Sequence, residues 1–160
     1  MFKDDLLKGK KILVTGGGTG LGKEMSEHYI QHGAEVVICG RRESVLADTA
    51  AEFKDKYDAS VRFQPLDIRS PQDVEDFVET IFQEGPLHGL VNNAAGNFIS
   101  PTKDLSARGF DAIANIVFHG TFYVTNAVGK KWLEQNIRGS IISILATWVW
   151  TGSPLSLIHI

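Results

Sequence analysis

Thr15-Gly16-Gly17-Gly18-Thr19-Gly20-Leu21-Gly22 follows a short apolar run, Ile12-Leu13-Val14, and leads into a helix-like segment, Lys23 to His32. A strand that ends in a glycine-rich turn and enters a helix is suited to holding phosphate. The glycines allow a tight turn and close backbone approach, and the helix start offers unpaired N–H groups and a favourable dipole. Two phosphate motifs compete here. Gly17 to Lys23 reads G-x-x-x-x-G-K, but Glu24 stands where a P-loop needs Ser or Thr. That loses the Mg²⁺-binding hydroxyl and puts a carboxylate beside the phosphate. The common dinucleotide spacing G-x-G-x-x-G also fails, because position 21 is Leu when counted from Gly16. The spacing that is met is T-G-x-x-x-G-x-G, with Gly16, Gly20 and Gly22. The alternative is a glycine turn with a structural role alone.

A chain of 160 residues can build one domain with a real core. With 43% hydrophobic and 22% charged residues the balance is that of a globular protein. A net charge of −3 gives no reason to expect nucleic acid or an anionic membrane as partner. Cys39 is the single cysteine and cannot form an internal disulfide, which fits a reducing compartment. The start, Met1-Phe2-Lys3-Asp4-Asp5, has no apolar signal core, and no window reaches membrane-span length. A cytoplasmic location is the expectation.

Apolar runs alternate with longer amphipathic segments. Strands are predicted at Lys11–Thr15, Glu35–Cys39, Val61–Pro65, Gly89–Asn92 and Ser140–Leu145, and helices at Leu21–Gln31, Ser44–Lys56, Pro71–Phe82 and from about Ala107 to Gln135. Within the last helix, Phe110, Ile113, Val117 and Val124 are expected to be buried. Ser70-Pro71 supplies an N-cap and a proline at the first helical position, and Gly33 stops the helix before the second strand. Continuously apolar strands separated by helices indicate an α/β fold, a doubly wound parallel sheet covered on both faces.

The second strand ends Ile38-Cys39-Gly40-Arg41-Arg42, with no acid until Glu43. In dinucleotide folds an acid here holds the ribose of NAD, and an Arg accommodates the 2′-phosphate of NADP. NADP is therefore favoured over the plain alternative of two solvated arginines. The third strand is followed by Leu66-Asp67-Ile68-Arg69, and the fourth by Asn92-Asn93-Ala94-Ala95-Gly96. These motifs, in this order, resemble the short-chain dehydrogenase/reductase family from about residue 8 to 154. The resemblance implies a Rossmann-like sheet, incomplete here at about five of seven strands. It also implies that Gly16, Gly18, Thr19, Gly20, Leu21 and Gly22 face the cofactor phosphates. Arg41 and Arg42 would face the 2′-phosphate, Asp67 and Ile68 the adenine, and Asn93, Ala94, Ala95 and Gly96 the underside of the cofactor. Val117 falls where the family carries an Asn, and is grouped with the cofactor residues.

A narrower match runs through Asn97-Phe98-Ile99-Ser100-Pro101, Gly120-Thr121-Phe122-Tyr123 and Ala146-Thr147-Trp148-Val149-Trp150. It resembles the 2,4-dienoyl-CoA reductase branch and implies an unsaturated acyl-CoA substrate, NADPH as reductant and a homo-oligomer packed partly through the long helix. Reduction of such a thioester needs a hydrogen-bond donor at the developing oxyanion. The family's Ser position is Ala146 here, and Trp148 stands where the branch can place a Tyr; an indole N–H donates but is no practical acid. The remaining candidates are His119, which could bond the thioester carbonyl or shuttle a proton, Asn115, and Thr147 as a stand-in hydroxyl. Trp148 and Trp150 suit the wall of an acyl pocket or a core. His28 and His32 have the spacing of a two-His metal pair but no third ligand, so no metal is expected.

Family members run to about 250 residues. By that resemblance residues 1–154 are the N-terminal part of the domain. The tail Leu155-Ser156-Leu157-Ile158-His159-Ile160 departs from the family pattern and reads as a non-native addition from sequencing-adaptor DNA, the alternative being a genuine divergent end. Such a truncated chain would expose its last strand, favour aggregation and lack turnover.

Overall fold

A computed structural model describes residues 3, 5–97 and 100–146. The tail at 155–160 and the expected boundary at 154 lie outside the described residues. Strands β1 (Lys11–Thr15), β2 (Glu35–Gly40), β3 (Arg62–Pro65), β4 (Gly89–Asn92) and β5 (Ser140–Ser143) form one parallel sheet in the order β3-β2-β1-β4-β5. The predicted strands are all present, with boundaries differing by at most two residues. β1 pairs Leu13 with Val37 on one side and with Leu90 on the other, so it is the centre of the sheet.

Side-chain alternation divides the core in two. Leu13, Val37, Cys39 and Leu90 point to one face, where α3 (Pro71–Gln83) and α5 (Thr121–Glu134) bring Val74, Phe77, Ile81, Val124 and Val128. Ile12, Val14, Val36, Ile38 and Val91 point to the other, against Leu46 and Phe53 of α2 (Glu43–Tyr57) and Met25 and Tyr29 of α1 (Gly20–Gln31). Both faces are dry, which is why these strands read as continuous apolar runs. β5 differs: Ile141 and Ile142, on opposite faces, are 44% and 49% exposed.

Cap chemistry follows the sequence. Ser70 accepts from the Asp73 N–H with Pro71 at the first helical position, and Gly33 takes φ +87° to leave α1. The long fourth helix is a correction. It runs as α4 (Ala107–Ala114), a wide π-helical turn (Asn115–Gly120) and α5. The π turn lets Gly120 press on the loop after β3, where a Cβ would sit 2.7 Å from Ile68 Cδ1. Ile113 and Val124 are buried as expected, Val117 is half-buried, and Phe110 is 46% exposed. α4 touches the body chiefly through the π turn, so the Phe110 side of it meets solvent.

At the opposite end of the sheet, the Lys11 N–H donates to His88 Nδ1 (3.1 Å) while the His88 N–H donates to the Lys11 carbonyl. A ring nitrogen that accepts is unprotonated, and burial, followed by Lys10 and Lys11, holds this imidazole below its ordinary range. The folded state therefore binds fewer protons at His88 than the unfolded chain. Its contribution is complete above about pH 6.5 and is lost as pH falls toward the lower folded value. We expect the urea midpoint to fall between pH 7 and pH 5, and His88→Gln to flatten that slope; an equal slope in the variant contradicts the assignment.

Candidate cofactor site

The chain reverses its direction of travel across the sheet between β1 and β4, and open α/β sheets bind ligands outside the strand C-termini at such a point. The glycine turn and the β4 loop meet there. Thr15 Oγ1 donates to the Val91 carbonyl and accepts from the backbone N–H groups of Asn93 and Ala94, each at 3.0 Å. Asn93 Nδ2 returns to the carbonyls of Thr15 and Gly16. Gly16 has φ +67° and Gly20 φ +53°, backbone states that glycine adopts without strain. Gly22 is required for a different reason. A Cβ there would lie 2.3 Å from the Gly16 carbonyl oxygen and 2.6 Å from Asn93 Nδ2.

The start of α1 is open. Thr19 makes no side-chain cap bond, and the first turn carries no acid. Its N–H groups and positive dipole end are thus left to an anion. Lys23 does not complete a P-loop, since its Nζ lies 2.6 Å from Glu52 Oε2 on α2. Glu52 is also bound by Lys56, and these hydrogen bonds draw its carboxyl down to about 2. The lysine of the rejected motif is therefore part of an α1–α2 tie.

Two small cavities flank the turn. One, of about 110 Å³, is lined by Gly18, Thr19, Gly40, Arg41, Arg42 and Val45 among others. The second, of about 70 Å³, is lined by Gly16, Arg41, Asp67, Ile68, Ala94 and Ala95 among others. Arg41 is common to both, and neither Arg41 nor Arg42 forms an ion pair with a described residue. A cleft of about 600 Å³ opens from Arg41 and Asp67 down the β3–α3 edge, but none of the glycine turn lines it.

The candidate cofactor residues are thus gathered on one edge, with exceptions. Leu21 is 67% exposed. Val117 lines neither cavity; Ile116 does, with its Cδ1 against Gly96. Sequence reading also missed Thr15 as the clamp between turn and loop, and Thr49, whose buried Oγ1 donates to the Gly18 carbonyl (2.9 Å). His119 and Asn115 are exposed on the π turn, His119 edge-on to Phe118 and Tyr123. Thr147, Trp148 and Trp150 lie outside the described residues. Among the described residues no group of three His, Cys, Asp or Glu is placed to hold a metal, and no helix is long and apolar enough to cross a membrane.

The family model described as short chain dehydrogenase matches residues 10–153. A Bacillus subtilis protein named probable 2,4-dienoyl-CoA reductase is 34% identical over 151 residues, 94% of this chain and 59% of its own length. An Arabidopsis thaliana peroxisomal 2,4-dienoyl-CoA reductase is 38% identical, over 95% of this chain and 53% of its own. A crystal structure of a short chain dehydrogenase from Bacillus anthracis superposes with TM-score 0.88 at 38% identity, covering 94% of this chain and 60% of the other. The chain thus spans between half and three fifths of the length of these curated relatives.

Gly22→Ala must separate α1 from the Gly16 carbonyl, and overpacking of this kind costs about 1–3 kcal/mol. Gly129→Ala on α5, where a Cβ meets nothing within 4 Å, should be neutral or stabilising by up to about 1 kcal/mol. Paired denaturant titrations check this, and equal midpoints for the two variants would remove the close-contact argument.

Proposed function

Because the chain belongs to the short-chain dehydrogenase family, whose members take nicotinamide cofactors, we propose that its glycine turn and Arg41 bind NADP. The observation that carries this reading is Arg41, which forms no ion pair with a described residue, is shared by the cavities on either side of the turn, and follows a β2 whose C-terminal end carries no acid. The residues present fit the group. Backbone N–H groups at the open α1 start take the pyrophosphate, and Arg41, with Arg42 beside it, takes the 2′-phosphate through bidentate bonds. Asp67 and Ile68 border the adenine, and Asn93 to Gly96 with Ile116 form the floor.

For the longer protein we propose reduction of an unsaturated fatty acyl-CoA thioester, since relatives named 2,4-dienoyl-CoA reductase align along most of this chain. A bound reduced nicotinamide would supply the hydride. The protein's part is to orient the acyl group and donate a hydrogen bond to the thioester oxygen as negative charge develops on it. His119, Asn115 and Thr147 are our candidates for that donor. The exposed Phe118 and Phe122 on the π turn and α5 suit contact with a second copy in a homo-oligomer. A cytoplasmic location remains our reading, although the Arabidopsis relative is named peroxisomal.

A charge-assisted bidentate bond contributes about 1.5–3 kcal/mol. Calorimetric titration of the chain should therefore show NADPH binding about 10–100-fold tighter than NADH, with Arg41→Ala removing most of the difference. Equal affinities in the wild type would overturn NADP preference. For the longer protein, 2,4-dienoyl-CoA should consume NADPH with loss of its absorbance, and His119→Ala should slow that rate at least about tenfold. Binding without turnover would instead favour an inactive NADP-binding module.

A further inference from the structure

The register that brings Arg41 to the glycine turn also brings a carboxylate beside it. β2 and β3 end in step, with Gly40 opposite Pro65, and the Leu66 N–H continues the ladder to the Gly40 carbonyl (2.8 Å). The next residues are Arg41 on one segment and Asp67 on the other, and both line the cavity of about 70 Å³. Opposite charges so placed attract, and an ionised carboxylate repels a phosphate. Asp67 nevertheless pairs elsewhere. The Ser70 N–H closes a turn on the Asp67 carbonyl (3.0 Å), which folds Arg69 back over Asp67. The Arg69 backbone N–H donates to Oδ1 at 3.1 Å, Nε–H lies 2.9 Å from both oxygens, and an Nη–H reaches Oδ2. Both oxygens of the carboxylate are thereby occupied.

We propose that Arg69 is a positioning residue for cofactor selection: by occupying both oxygens of Asp67 it keeps that carboxylate from capturing Arg41, and so leaves the Arg41 guanidinium to the 2′-phosphate of NADP. The inference rests on the NADP reading above and adds to it the residue that keeps Arg41 available. Arg69 lines neither cavity beside the turn, so it acts through Asp67 and not on the ligand. Its hydrogen bonds, with a smaller contribution from the nearby charge of Arg41, hold the Asp67 carboxyl below its usual range. At neutral pH the group is thus an anion that would compete for Arg41 if released. The Asp67–Arg69 pair is half-exposed, with Arg69 43% and Asp67 34% accessible, so removing it costs little stability. An Arg41 held by Asp67 about four-fifths of the time would bind the phosphate about fivefold more weakly, the scale of one exposed ion pair.

The test uses the 160-residue chain and two half-cofactors, so that it depends on the adenosine side alone. Calorimetry gives the affinity for adenosine 2′,5′-bisphosphate and for adenosine 5′-monophosphate, and their ratio reports the 2′-phosphate site. The wild type should prefer the bisphosphate at least about tenfold. Arg69→Ala should lower that ratio about fivefold while changing monophosphate affinity by less than about twofold. Adding Asp67→Asn to Arg69→Ala should return the ratio to within about twofold of wild type, a rescue that a merely structural loss would not show. In an Arg41→Ala background, Arg69→Ala should leave the ratio within about twofold, because no guanidinium remains to be captured. An unchanged ratio in Arg69→Ala, a loss that Asp67→Asn does not recover, or an undiminished effect without Arg41 each overturns the positioning role alone. Failure of the wild type to bind the bisphosphate, or to prefer it over the monophosphate, overturns the cofactor reading and this inference with it.

Discussion

The site depends on how closely two backbones approach at Gly22. The first turn of α1 sits against the Gly16 carbonyl, and Asn93 Nδ2 bonds that same carbonyl from the β4 loop. There is no room for a side chain. Because the contact is this tight, the helix start, the end of β1 and the end of β4 behave as one piece, with the Thr15 hydroxyl joining the end of β1 to β4 and its loop. An anion at the helix start and a flat group over Ala94 and Ala95 would then meet a surface already in place, which lowers the ordering cost of binding.

The sheet supplies that rigidity unevenly. β1, β2 and β4 are covered on both faces and hold the turn, the arginine pair and the Asn-Asn loop at fixed register. β5 carries isoleucines that face solvent on each side. The phosphate part of the proposed adenosine site rests on the well-packed strands, and Asp67 and Ile68 follow the edge strand β3, whose residues are only partly buried. The His119 side rests on the π turn, which meets the rest through Ile116 against Gly96 and Gly120 against Ile68. The two halves thus differ in how firmly the described residues hold them.

What the sequence made legible follows the same division. The fold could be read because each central strand is apolar on both faces, and the turn could be read because the glycine spacing reflects backbone contacts that no other residue permits. The π turn was not legible, since an apolar pattern at helical spacing does not record one extra residue in a turn. That shift moved the cavity-facing side chain from Val117 to Ile116 and left Phe110 outside. Lys23 was ambiguous in sequence because its partner, Glu52, lies on another helix. The Arg69 fork was hidden for a similar reason: Asp and Arg two residues apart are common, and only the loop geometry converges three N–H groups on one carboxylate.

The central claim is that the glycine turn and the loops beside it form an NADP site. Amide chemical-shift mapping of isotope-labelled protein during titration with NADPH tests it most directly, because it locates the ligand without requiring turnover. The account predicts saturable shifts at residues 16–22, 40–42, 66–69 and 93–96, with β5 unmoved. Shifts centred on the β3–α3 cleft or the β5 edge, or none at millimolar NADPH, would contradict it.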